Sequence, residues 1–112
     1  MNEELVETVL RVVEAIPEGE AATYGMIARV VGTGPRVVGR IMAQWGESVP
    51  WWRVVSAHGT FPTSIRSSGV ERWRAEGMPL RPGGEGLDLS RCLTNEERLL
   101  NVCAQIICDL RR

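Results

Sequence analysis

Residues 23–44 read TYGMIARVVGTGPRVVGRIMAQ, two short helical patterns on either side of a glycine break. Thr23 has the side chain of an N-cap, its hydroxyl able to take up a free backbone N–H. The helix it opens runs to about Val31, with Ile27 and Val30 on its inner side. Gly32-Thr33-Gly34 interrupts the pattern. Pro35, preorganised for the first position of a helix, opens the next one, which runs through about Gln44 with Val38, Ile41 and Met42 turned to the core. Two short helices around a glycine turn make a candidate helix-turn-helix, whose second member reads DNA. Such pairs also occur in all-α proteins that never touch DNA, so the pattern alone leaves the partner open.

The flanks supply the remaining elements. Over residues 3–16, Leu5, Val6, Val9, Leu10, Val12, Val13 and Ile16 recur at helical spacing, and Glu3, Glu4 and Glu7 oppose the positive helix end. Pro17 and Gly19 stop that helix. After Val49-Pro50, the run Trp51-Trp52-Arg53-Val54-Val55 predicts a short strand, and Ser56-Ala57-His58-Gly59-Thr60-Phe61-Pro62 a turn or small ribbon. Adjacent tryptophans on a strand point to opposite faces, one to the core and the other to solvent or a cavity, where a nucleobase is a fitting partner. Ser68 with Glu71 is a capping box for a helix over 69–76 ending at Gly77. Pro79 to Gly86 is loop, and Leu87-Asp88-Leu89 is a possible last strand. A second capping box, Thr94 with Glu97, starts a C-terminal helix bearing Leu99, Leu100, Val102, Cys103, Ile106, Ile107 and Leu110. One domain over residues 1–112 is expected, mostly α with short β-strands.

The net charge of −1 argues against a nucleic-acid coat held by bulk charge, so any DNA binding has to be local and shaped. No apolar run approaches a membrane span, and Met1-Asn2-Glu3-Glu4 is acidic where an export signal is basic. A cytoplasmic protein is expected. Cys92, Cys103 and Cys108 lack C-x-x-C spacing and lie far from His58, the single histidine; they read as small buried hydrophobes, with no metal site.

The ordered set Ile16-Pro17-x-Gly19, Thr23-Tyr24-Gly25-x-Ile27-Ala28, Arg36-x-Val38-Gly39, Pro50-Trp51-Trp52-Arg53-Val54-Val55 and Gly59 resembles the DNA-binding domain of the O6-alkylguanine-DNA alkyltransferases. The resemblance covers residues 1–90, with residues 93–112 an additional helix, and it implies a winged helix-turn-helix-like fold. In those enzymes the fourth block reads Pro-Cys-His-Arg-Val, and a thiolate activated through histidine and a glutamate takes the alkyl group. Here Trp51 stands at the cysteine position and Trp52 at the histidine position, and neither indole supplies a nucleophile or relays a proton. Tryptophan for that cysteine marks the alkyltransferase-like proteins, which bind alkylated DNA without repairing it and hand the lesion to nucleotide excision repair. Their block is similar to Pro-Trp-His-Arg or Pro-Trp-Gln-Arg, so Trp52 departs even from this branch. Trp45-Gly46 also replaces the Asn-Pro that follows the family's recognition helix.

Carried over position by position, the resemblance implies a DNA-binding set of Thr23, Tyr24, Pro35, Arg36 and Gly39. Tyr24 would crowd the phosphate beside the target nucleotide, and Arg36 would fill the space the nucleotide leaves. A lesion pocket would comprise Tyr24, Trp51, Trp52, Val54, Arg66, Ser67 and Ser68, with Gly69 a further backbone contact. Pro50 and Arg53 would support the motif. The implied partners are duplex DNA containing O6-alkylguanine and nucleotide excision repair proteins; no cofactor, metal or membrane is implied, and a monomer is expected. Two other readings are an alkyltransferase working through Cys92, Cys103 or Cys108, and a winged-helix DNA-binding regulator or interaction protein without lesion recognition.

Overall fold

The computed structural model describes residues 2–61 and 66–112, and the side chains of residues 66 and 67 lie outside the description. Helix α1 (Glu3–Glu14) is capped by Asn2, whose side chain accepts the Glu4 and Leu5 N–H groups at 2.8 and 3.3 Å. It ends short of the apolar pattern, because the residue before a proline is pushed out of the helical region; Ile16 is buried beyond the helix end, ahead of Pro17. A two-residue strand β1 (Ala22–Thr23) leads directly into α2 (Tyr24–Val31), where the Thr23 hydroxyl accepts the Met26 N–H at 3.0 Å. Gly32, at φ 89°, closes α2 in the left-handed conformation, and Pro35 opens α3 (Pro35–Trp45).

The strand expected from Trp51 is shorter than its β-rich composition predicts. Trp51–Arg53 form a single 3₁₀ turn after Pro50, and only Val54–Val55 are extended, as β2. β2 pairs in parallel with β1, Ala22 beside Val54 and Thr23 beside Val55. The ladder has no room to grow, because Tyr24 already belongs to α2. The two tryptophans therefore do not face opposite ways from a strand; both are half-buried on the same turn.

Helix α4 (Arg66–Ala75) begins before the expected capping box, so Ser68 lies inside it. Serine and glutamate three residues apart are also neighbours on one helix face, and here that spacing marks a face, not a start. The predicted last strand reduces to one antiparallel bridge between Leu80 and Leu87, and Leu89 opens the short helix α5 (Leu89–Cys92). The C-terminal helix α6 (Glu96–Leu110) is capped by Asn95 instead of Thr94. Thr94 is otherwise engaged: its N–H donates to the Ala21 carbonyl at 2.8 Å, and its hydroxyl accepts from the Arg98 guanidinium at 2.8 Å. Cys92 and Cys103 are buried as expected, whereas Cys108 is exposed, its five-residue offset from Cys103 turning it outward.

Two apolar clusters meet at the parallel ladder. Val9, Val12, Val13, Ile27, Val38 and Ile41 form the first among α1, α2 and α3, and α6 seals it with Leu99, Cys103 and Ile106. Val55, Phe61, Trp73, Met78 and Leu87 form the second around α4. Neighbouring strand residues point to opposite faces, so Ala22 and Val54 belong to the first cluster and Ala21 and Val55 to the second.

Candidate nucleic-acid interface

Helices α2 and α3 form the helix-turn-helix. Along α3, Arg36 and Arg40 are exposed, and Gly39 between them leaves open space where a side chain would stand. Tyr24, the first residue of α2, is half-buried against the first core, and burial pushes its phenol above the ordinary value. Thr23 is the cap of α2 and Pro35 the first residue of α3; these roles hold the two helix starts in place. Trp45, at the far end of α3, is 42% exposed, while the following Gly46 is buried against Met42.

The turn carrying Trp51, Trp52 and Arg53 opens an aromatic cluster. The Trp51 ring meets Trp52 edge-on at 5.7 Å between centroids and Phe61 at 5.7 Å, and Phe61 stacks on Trp73 at 4.7 Å. Trp73 is fully buried and donates its Nε1–H to the Trp52 carbonyl at 2.7 Å. Gly69 is buried and a Cβ there would overlap the Phe61 ring, so the absence of a side chain lets α4 seat on the cluster. Val54, expected in a pocket wall, is fully buried in the first core. Ser68 is exposed on α4; the Arg66 and Ser67 side chains lie outside the described residues.

Trp52 is a cross-brace. Its Nε1–H donates to the Glu76 carboxylate at 2.6 Å, and the Arg72 guanidinium covers its face at 4.6 Å from the ring centroid. Glu76 also receives Arg53 Nη2 at 2.8 Å and the Gly19 N–H at 2.9 Å, while Arg53 Nη1 reaches the Ile16 carbonyl at 2.9 Å. The Arg53 and Glu76 side chains are only 14% and 8% exposed. Burial alone would raise the Glu76 pKa; hydrogen bonds from Arg53, Gly19 and Trp52, with the Arg53 charge, outweigh it and hold the carboxyl below the ordinary glutamate value. Sequence reasoning missed Glu76 as a site residue. The signal available was Arg53 itself, since a motif arginine held inside a fold needs a carboxylate partner.

Cys92 belongs to the same buried cluster as Phe61 and Trp73. Cys92 and Cys103 are buried, which raises both thiols, Cys92 further through Asp88 and Glu20. Among the described residues, no three His, Cys, Asp or Glu side chains come together as metal ligands. An open groove of about 680 Å³ is bounded by Gly19, Met26, Arg91, Cys92, Thr94 and Arg98, and none of the tryptophans lines it.

A helix-turn-helix with a tryptophan-bearing turn clamped behind it defines a DNA-binding domain of the alkyltransferase type. Residues 4–77 match the family model of the 6-O-methylguanine DNA methyltransferase DNA-binding domain. The chain is 37% identical to a DNA base-flipping protein of Escherichia coli over 93 residues, 76% of this chain and 70% of that one. It is 41% identical over 61 residues to alkyltransferase-like protein 1 of Schizosaccharomyces pombe, covering 51% of this chain and 56% of that one. The crystal structure of the S. pombe protein Atl1 with damaged DNA containing O6-carboxymethylguanine superposes with a TM-score of 0.73 at 30% identity, over 85% of this chain and 98% of that one. The chain belongs to the methyltransferase DNA-binding-domain family and, within it, to the alkyltransferase-like proteins.

Proposed function

We propose that this protein binds O6-alkylguanine in duplex DNA, flips the nucleotide out of the stack and holds it without removing the alkyl group, flagging the lesion for nucleotide excision repair. The observation that carries the reading is the Trp51 indole, half-buried beside Trp52 and Phe61 on the turn where the family resemblance puts a reactive cysteine. An indole cannot accept an alkyl group in the enzyme's manner, but it offers a flipped base a stacking wall. Extruding a base costs a few kcal/mol, and stacking on an aromatic side chain returns about 1–3 kcal/mol of that. Arg36 is assigned to the gap in the duplex and Tyr24 to the phosphate beside it. The similarity to a base-flipping protein and to a protein crystallised on damaged DNA supports the same reading.

The test is binding of the purified protein to two duplexes that differ by a single O6-methylguanine. The modified duplex is expected to bind more tightly, with the preference lost in Arg36→Ala and Trp51→Ala and with no alkyl group transferred to the protein. Equal affinity for both duplexes would favour a winged-helix regulator, a reading that Trp52, locked to Glu76 and covered by Arg72, keeps specific. Label on Cys92, Cys103 or Cys108 would make the protein an enzyme.

A further inference from the structure

Arginine supplies all thirteen basic side chains and lysine none, and six of the arginines are committed to acids. Arg11, Arg29, Arg53, Arg98, Arg111 and Arg112 each pair with a carboxylate. Arg72, Arg74, Arg81 and Arg91 have no ion-pair partner among the described residues, and neither have Arg36 and Arg40, but α3 carries its two on a helix with no acidic residue. Both are exposed. The nearest following acid, Glu47, lies in the next turn and pairs with neither. Four residues along a helix bring Arg40 round to about 40° from Arg36 and displace it by about 6 Å along the axis, so the two guanidinium groups occupy one face. Gly39, beside them, leaves the α3 backbone open to close approach.

We infer that Arg40 is a second DNA contact of this helix, a backbone-phosphate anchor that acts whether or not the DNA is damaged. The inference rests on α3 being the DNA-entering helix of the proposed function, but it assigns Arg40 a task separate from lesion recognition. Two unpaired cations on a helix entering a groove face phosphates on its walls, and a guanidinium that does not occupy the gap in the stack has those phosphates as its acceptors. A protein of net charge −1 binds DNA only through such local concentrations of positive charge.

The experiment is the salt dependence of affinity for the unmodified and the O6-methylguanine duplex, with wild type, Arg40→Ala and Arg40→Lys. Arg40→Ala is expected to weaken both duplexes by the same factor and to lower the slope of log affinity against log salt by about 0.9. Between 50 and 200 mM salt, wild type then loses about 3.5-fold more affinity than the variant. Arg40→Lys is expected to retain the slope. An unchanged slope in Arg40→Ala overturns the inference, as does a loss confined to the modified duplex, which would move Arg40 into lesion recognition. A wild type that binds both duplexes with a normal salt slope but no lesion preference defeats the proposed function and leaves the Arg40 test standing. Thermal melting of the variants controls for folding.

Discussion

Glu76 receives four N–H donors from three residues, Gly19, Trp52 and Arg53, and through them holds the chain just beyond α4 against the end of the α1 segment and the tryptophan turn. Breaking a covered ion pair from one side leaves the other charge unpaired and costs about 3–5 kcal/mol. Glu76→Ala is therefore expected to lower unfolding stability by about 3 kcal/mol in urea melts, with the fold otherwise retained. The companion variant Glu76→Gln carries the pH test. Because the folded carboxyl is held below its ordinary value of 4.5, its contribution is complete above that value and is lost as pH falls through the lower, folded one. The stability gap between wild type and Glu76→Gln should be constant near neutrality and narrow only below about pH 4.5; a gap that widens on acidification would contradict this. Arg53 was legible from its place in a motif, but its partner lies 23 residues away, beyond a strand, a turn and a helix that no local pattern connects.

At the scale of elements, the helix-turn-helix was legible because capping and breaking are local: Thr23, Gly32 and Pro35 each act on their immediate neighbours. The tryptophan turn was not, because strand length depends on a partner. β-branched and aromatic residues favour an extended run, yet β1 offers only Ala22 and Thr23 to pair with. The C-terminal cap moved by one residue for a similar reason, since Thr94 is drawn off by Ala21, far away in sequence. Tertiary contact also explains Gly59. It closes the turn in which the Ser56 N–H donates to the Thr60 carbonyl, it has φ 76°, and a Cβ on it would stand 2.5 Å from the Leu87 carbonyl oxygen. Gly59→Ala is expected to cost about 1–3 kcal/mol from the backbone conformation alone, with the Leu87 contact adding to it, as read from the melting temperature.

For the whole molecule, the family match ends at residue 77, and of the two helices beyond it α6 is built into the first core. Leu99 is fully buried with Val9, Val12 and Ile27, while Arg111 reaches Glu4 of α1 and Glu96 pairs with Arg29 of α2. The exposed ion pairs add little, so the apolar seam carries the attachment. Leu99→Ala is expected to destabilise the protein by about 2–5 kcal/mol, whereas Arg111→Ala should leave the melt almost unchanged. Equal effects would mean that α6 is held by charge and not by packing. The four tryptophans are unevenly placed: Trp51, Trp52 and Trp73 are gathered in and beside one aromatic cluster, and Trp45 stands apart at the end of α3. Ultraviolet emission from this protein thus comes largely from the place where a base would dock, with Trp45 as the separate background. The molecule carries an optical reporter of its own candidate site, and occupancy can be followed by light without attaching a dye.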